Sequence, residues 1–461
     1  MTLADFLLMP FIAVAIVYIF KYIRDTRYKN ELVAKYFLPA LIARLVGAFL
    51  TGLMYRFYYG YGDTTWYFRG SSDIVNAFLN KGIATGFEML FTPYAQYSFE
   101  AKSCISYHLL FNNASMLAVC KTGAVFGLFT FGSFIGSSFG LTCISFAGCW
   151  MLFRVFTDLY PHLHRSLAFA VLFVPSLCFW GTGLMKDPLS LGGVGMYVYG
   201  LYYTVYKYDK KGFLSPLFFL ILGLYFSLVV KAYIAFAVIP ASIVWISLLY
   251  KNRIKNKFLK SISGPLLLVV GLGLGSSALG RISNNITLDQ IAAEAAKIQW
   301  WISLNTELGG GTGYSLGVMD PSVGGMLRIA PAAINVALFR PYPWEARKPI
   351  VIPSAIEALF ALSFTLFVFY KIGILNTFVE LQRDPTVLFC IIFSLIFSFA
   401  VGFTSMNFGA LARYKIPATP FYFTALVLLL DSKGRKERIE AFSLNSDSDN
   451  LKTDKSTLPP Q

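Results

Sequence analysis

Apolar runs of about 20 residues recur along most of the chain, separated by short polar stretches. Each is long enough to cross a hydrocarbon layer of about 30 Å as a helix. The runs are rich in aromatic residues and lack the alternation of a half-buried strand, which predicts helices rather than a closed barrel. Full crossings are expected near 3–22, 36–57, 136–156, 166–185, 189–206, 213–231, 233–250, 262–279, 351–371, 386–404 and 417–430. The expected fold is therefore an all-α polytopic membrane protein with about eleven transmembrane helices, plus interfacial or re-entrant pieces.

The polar stretches between the runs give the orientation. Basic clusters at KYIRDTRYKN, HLHR (162–165), KYDKKG (207–212) and KNRIKNKFLK (251–260) belong on the cytoplasmic side. The N-terminus is then outside and the C-terminus inside, and the segment 114–134, with its Lys121 and glycines, is a partial or re-entrant piece. Two large outer loops follow, at about 58–113 and 280–349, and pieces such as Ile83 to Tyr97 suit helices lying in the interface. Residues 1–430 read as one transmembrane domain. Residues 431–461, with KGRKER and then Ser, Asp and Lys, read as a disordered cytoplasmic tail.

Composition agrees with this pattern and removes other classes. The 461 residues are 56% hydrophobic, 17% aromatic and 14% charged, with a mean hydropathy of +0.61, outside the range of soluble domains. The net charge of +15 comes from lysines and arginines in short loops, so it reports orientation; no folded basic domain is left to hold nucleic acid. The six cysteines stand singly in apolar segments without a CxxC pair, and only His108, His162 and His164 are present, a poor basis for a zinc site.

Four polar clusters fall on the expected outer face, where ionisable groups beside the hydrocarbon are functional candidates. Asp63 and Asp73 lie in YYGYGDTTWYFRGSSDIVNA. Lys186 and Asp187 end FWGTGLMKDP, where Asp187 either caps the helix started by Pro188 while Lys186 snorkels outward, or Lys186 holds a phosphate or orients Asp63. Arg328, Arg340, Glu345 and Arg347 surround ALFRPYPWEARKP, and Arg340 offers a planar fork to a phosphate. Arg413 and Lys415 sit in GALARYKIPATP. The glycines Gly309, Gly310, Gly311 and Gly313 are not followed by Gly-Lys-Ser/Thr and so form no P-loop.

With Asp63 in YGDTTWYFRG and Arg413, Tyr414 and Pro417 in ARYKIPATP, the chain resembles the GT-C superfamily of membrane glycosyltransferases. The likeness is an order of features: many spans, an acid in the first large outer loop, a second large outer loop, and Arg-Tyr before a proline near a late span. It implies a bacterial cytoplasmic (inner) membrane enzyme that moves a sugar from a polyprenyl-phosphate donor to an outer-face glycan, lipid or protein acceptor. It implies catalytic roles for Asp63 and Asp73, and substrate binding by Lys186, Asp187, Arg340, Glu345, Arg413 and Lys415. Many relatives carry paired acids in the first loop; here Gly62-Asp63-Thr64 presents one, so dependence on a divalent metal stays open and no other cofactor is implied. A Wzy-like polysaccharide polymerase and a lipid-linked glycan transporter or flippase are the competing readings.

Overall fold

The computed structural model describes residues 2–29, 31–208, 212–251, 300, 304, 313–317 and 322–432. The crossing expected at 262–279, most of the 280–321 stretch including Gly309 to Gly311, and the tail from 433 onward lie outside the described residues. Among the described residues the architecture is all helix, that of a multi-pass membrane protein, with a single isolated bridge between Gly313 and Asn407.

Among the described residues six helical segments are long and apolar enough to cross a membrane: Leu3–Arg27, Leu32–Tyr59, Phe134–Leu159, Ala232–Tyr250, Pro349–Ile372 and Pro385–Ser405. We label the principal helices α1 (Leu3–Arg27), α2 (Phe37–Leu53), α3 (Asp63–Asn80), α4 (Ile83–Phe91), α5 (Ala114–Phe129), α6 (Phe134–Leu159), α7 (Lys186–Leu201), α8 (Leu214–Val230), α9 (Ala232–Lys251), α10 (Val323–Phe339), α11 (Ile352–Ile372), α12 (Ile374–Arg383), α13 (Pro385–Ser405), α14 (Phe408–Tyr414) and α15 (Thr419–Ser432).

Among the described residues the expected count of eleven is not reached. The run at 166–185 is no single helix, because Pro175 lacks the donor a helix interior needs and pushes Val174 to an extended conformation. What remains is one helical turn at His164–Ala168, a π-turn at Phe169–Phe173, a short helix at Pro175–Phe179 and a non-helical stretch up to α7. α8 and α15 are apolar but shorter than a full crossing. α5, at 16 residues, is likewise too short to span, in keeping with a partial segment. In α4, Ile83, Phe87 and Phe91 are exposed at four-residue spacing as one apolar stripe, while Met89 of the same helix is buried.

Small residues decide which helices are central. A methyl group on Gly148 of α6 would fall 2.1 Å from the Gly192 carbonyl oxygen of α7, and one on Gly195 would fall 2.1 Å from the Gly148 oxygen. On the other flank of α7, Gly223 of α8 meets the Tyr197 backbone nitrogen in the same way. Backbone contact of this kind is how helices associate where lipid removes the hydrophobic driving force. α7 is accordingly clasped between α6 and α8. Aromatic stacking closes the second half of the bundle, with Trp245 of α9 on Phe389 of α13 at 4.6 Å and Phe393 against Phe421 of α15 at 4.7 Å. α1 is peripheral, its exposed Leu7, Phe11, Val14 and Tyr18 forming a lipid-facing stripe. It is tied in through Asp5, whose carboxylate accepts hydrogen bonds from Ser133 Oγ (2.8 Å) and the Phe134 amide (2.9 Å) at the start of α6.

Candidate functional site

The non-helical stretch 180–185 sets the site. Backbone groups inside a lipid-buried bundle need partners, and α2 and α6 supply them. Arg44 Nη1 donates to the Leu177 carbonyl (3.1 Å), Thr51 Oγ1 to the Phe179 carbonyl (3.1 Å) and Ser145 Oγ to the Gly181 carbonyl (2.6 Å). The Gly183 amide donates to Thr142 Oγ1 (3.0 Å). This polar brace delivers Lys186 and Asp187 as the first residues of α7, where Pro188 is tolerated because the first turn has no helical donor to lose.

Asp187 is fully buried, and both of its oxygens are used. Oδ1 accepts from Lys231 Nζ at 2.7 Å; Oδ2 accepts from Nε and Nη2 of Arg413, each at 3.3 Å. Lys231 occupies the break between α8 and α9, and its ammonium also lies 4.3 Å from the Tyr414 ring centroid, a favourable place for a desolvated cation. Arg413, in the last turn of α14, spends the rest of its fork on Tyr55 Oη (2.9 Å) and Asp63 Oδ2 (3.0 Å). The cluster thus runs from a sealed carboxylate to an open one: the Asp63 side chain is 49% exposed and that of Asp187 is 0%.

Local backbone explains how Asp63 and Tyr55 come together. Tyr55 lies in the π-turn Met54–Tyr59 that ends α2. Asp63 opens α3, where a negative charge is favoured by the helix dipole. Between them Gly62 has φ +151°, and a Cβ there would lie 2.7 Å from the Tyr55 ring, so only glycine lets the phenol reach Arg413. Burial first, and the Asp63 charge next, push the nearby Tyr67 phenol well above its ordinary range, so it stays protonated. Beside the cluster, Lys186 Nζ donates to Ser115 Oγ of α5 at 2.7 Å and forms no ion pair with a described residue. Three cations (Lys186, Lys231, Arg413) against two carboxylates (Asp63, Asp187) leave this locus with one net positive charge.

Of the eight expected site residues, Asp63, Lys186, Asp187 and Arg413 are brought together; the other four are placed elsewhere. Asp73 is on α3 with Asp63, but ten residues along a helix separate them by about 15 Å and roughly a quarter-turn. Its buried carboxylate accepts from the Ser106 amide (2.9 Å) and hydroxyl (2.6 Å), pinning the loop after α4. Lys415 follows Arg413 by two residues, a spacing that does not share a helix face. It is buried with Glu357, Ser398, Thr419 and Tyr422 around a narrow crevice. Arg340 and Glu345 hold each other: Arg340 Nε reaches Glu345 Oε2 at 3.0 Å, Nη2 reaches Oε1, and the Tyr342 amide adds a third bond at 2.8 Å. The guanidinium lies over the Phe408 and Tyr314 rings. Arg328 and Arg347 are exposed.

The Arg340–Glu345 staple gives a pH prediction. Burial alone raises the Glu345 pKa, but the bond from Arg340, then the Tyr342 amide and the Arg340 charge, outweigh it and hold the carboxyl below the ordinary glutamate value. A lowered folded-state pKa contributes stability above the unfolded value that is lost as pH falls through the folded one. Emission from Trp344, stacked on Tyr342 at 5.0 Å, is expected to hold steady from neutral pH to about the ordinary glutamate range near 4.3 and to change only below it. In Glu345→Gln that acid transition is expected to vanish.

Two members of the cluster had little sequence signal. Lys231 interrupts two apolar runs in LVVKAYIAF, a lone cation without polar neighbours, and that isolation is the trace it leaves. Tyr55 is one tyrosine among several and leaves none. Among the described residues no three of His, Cys, Asp and Glu gather closely enough to ligate a metal ion.

The chain matches no protein-family model, no curated protein and no solved structure. Its functional reading therefore rests on the chemistry of this cluster. Asp63 Oδ1 accepts no hydrogen bond from a described residue, and the side chain is half exposed, which suits a proton acceptor. Lys186 keeps two N–H donors beyond the one given to Ser115, which suits an anionic oxygen.

Proposed function

We propose that the chain is a GT-C-like membrane glycosyltransferase that moves a sugar from a polyprenyl-phosphate donor to a hydroxyl of an envelope glycan, lipid or protein. The observation that carries this reading is the meeting of Asp63, Arg413, Asp187 and Lys231 from four separate parts of the chain, with Lys186 alongside. In the proposed reaction the acceptor oxygen bonds to the anomeric carbon while the bond from that carbon to the phosphate oxygen breaks. Asp63 takes the acceptor proton, and polyprenyl phosphate leaves with its negative charge facing Lys186. Arg413 does not serve as a free phosphate clamp, since its fork is occupied; it fixes the Asp63 carboxylate. Asp187 is too deeply sealed to touch substrate and acts as the counter-charge that keeps Lys231 and Arg413 in place.

A second reading, a transporter of lipid-linked glycans, is favoured by one specific observation. The chain breaks before Pro175 and, after one short helix, runs non-helically over 180–185 into buried ionisable residues, a construction found where transporters bind their cargo. The full-length protein in vesicles, supplied with a labelled polyprenyl-phosphate sugar and candidate acceptors, separates the possibilities by mass spectrometry. A single sugar increment on the acceptor supports the transferase. A ladder of lengths means a polymerase, and label crossing the bilayer with no covalent change means a transporter.

A further inference from the structure

At the far end of α2 from the site, the structure holds a second feature with its own chemistry. Tyr55 at one end of this helix is bonded to Arg413; Tyr36 at the other donates to or accepts from His164 Nδ1 at 2.8 Å. The nineteen-residue step from Tyr36 to Tyr55 spans about 28 Å as a helix. Next to His164 a groove of about 480 Å³ opens between the 163–169 segment, α11 and α15, lined by Leu163, Phe169, Phe360, Phe364, Val427 and Leu430. That volume lies within the range of about 300–1,000 Å³ that takes a small ligand.

We propose that this groove is a binding site for an anionic phospholipid, one acyl chain lying along the phenylalanines and the phosphate facing Arg165. Three observations support it. The groove is continuous with the lipid-facing surface: Phe169 and Phe360 are each 44% exposed, and Ile356, Leu359 and Phe367 on the same helix are exposed too. At membrane depth such a surface is covered by hydrocarbon, so an apolar channel leading off it is filled by a chain.

The mouth is polar. Ser166 and Asp431 line it, and the Asp431 carboxylate is hydrogen-bonded to His162 Nε2 at 2.9 Å. Arg165, next to Ser166, is exposed and has no ion-pair partner among the described residues. Lys35 and Arg165 both lie near enough to His164 for their charges to act on it, so the rim holds two basic side chains against one acid. A phosphate at a membrane surface complements it. Finally, the groove joins the broken segment 163–179 to α11: Ser176 donates its amide to Glu357 Oε2 at 3.0 Å. A lipid seated in the groove touches both the 163–169 segment and α11.

The test uses the full-length protein in mild detergent, exchanged against phosphatidylglycerol or phosphatidylcholine of matched chains and examined by native mass spectrometry. Wild-type protein is expected to retain one phosphatidylglycerol under conditions that strip phosphatidylcholine. Arg165→Gln is expected to lower that retention about fivefold, the effect of one basic residue at a membrane surface. Ser166→Trp, a substitution at an exposed position that fills the groove, is expected to reduce retention of both lipids. Equal retention of the two lipids by the wild type, or retention indifferent to both variants, would overturn the proposal by marking ordinary boundary lipid. The outcome is independent of whether the cluster at the other end transfers sugar.

Discussion

Asp63→Asn is expected to lower sugar transfer by about 10²–10⁴-fold, the usual contribution of a general base, with the protein still reaching the membrane in wild-type amounts. The substitution keeps the size and planarity of the side chain and leaves an oxygen for Arg413 to donate to. Its structural cost is small because the Asp63 side chain is 49% exposed and Asp187 still compensates Arg413; ion pairs that reach water contribute about 0–1 kcal/mol. What it removes is the charge and the proton-accepting capacity of the oxygen that no described residue occupies. Initial rates at saturating donor, set against membrane levels by immunoblot, give the comparison. Undiminished transfer at equal levels would end the assignment of Asp63 as base, and Arg413 would then have no catalytic carboxylate to orient.

The largest effect on stability is expected at Asp187. Its carboxylate is the shared counter-charge of Lys231 and Arg413, at 2.7 Å and 3.3 Å. With Asp187→Asn, two buried cations face each other with half their compensation gone, and breaking a buried pair in this way costs about 3–5 kcal/mol. Against a typical total of about 5–15 kcal/mol, that is a large share. Thermal aggregation in detergent is expected at a much lower temperature, with little monodisperse protein recovered. The double change Asp187→Leu with Lys231→Met removes both buried charges of the tighter pair and is expected to recover much of the loss, since apolar replacements of similar volume are often neutral. An Asp187→Asn protein as stable as wild type would show that the cluster does not depend on this acid.

These two residues also show how far the sequence carries. Hydropathy locates helices well because lipid penalises every unsatisfied backbone group and every charge, so long apolar runs such as those of α1, α6 and α13 have few other options. It fails at 166–185, where Pro175 breaks a run that passes on composition alone. Membrane level is a one-dimensional coordinate, and it was enough to bring Asp63, Lys186, Asp187 and Arg413 to one place. It says nothing about which way a helix is turned. Asp73 shares a helix with Asp63 and Lys415 nearly touches Arg413 in sequence, yet each faces different neighbours. Arg340 was lost to a carboxylate five residues away, a local partner that outcompetes any distant one. Lys231 shows the converse: its meaning depends on Asp187, 44 residues earlier, and no local pattern reports a pairing of that range.

The glycine seam of α7 divides the cluster mechanically. With its carbonyls wedged against Gly148 on one flank and Gly223 on the other, this helix has no room to rotate or slide, so Lys186 and Asp187 behave as a fixed anvil. Asp63 is hung differently, from a turn containing Gly60 and Gly62 at the open end of α2. The room to move lies on the Asp63 side of the cluster, where the side chain is 49% exposed and held by Arg413 at 3.0 Å.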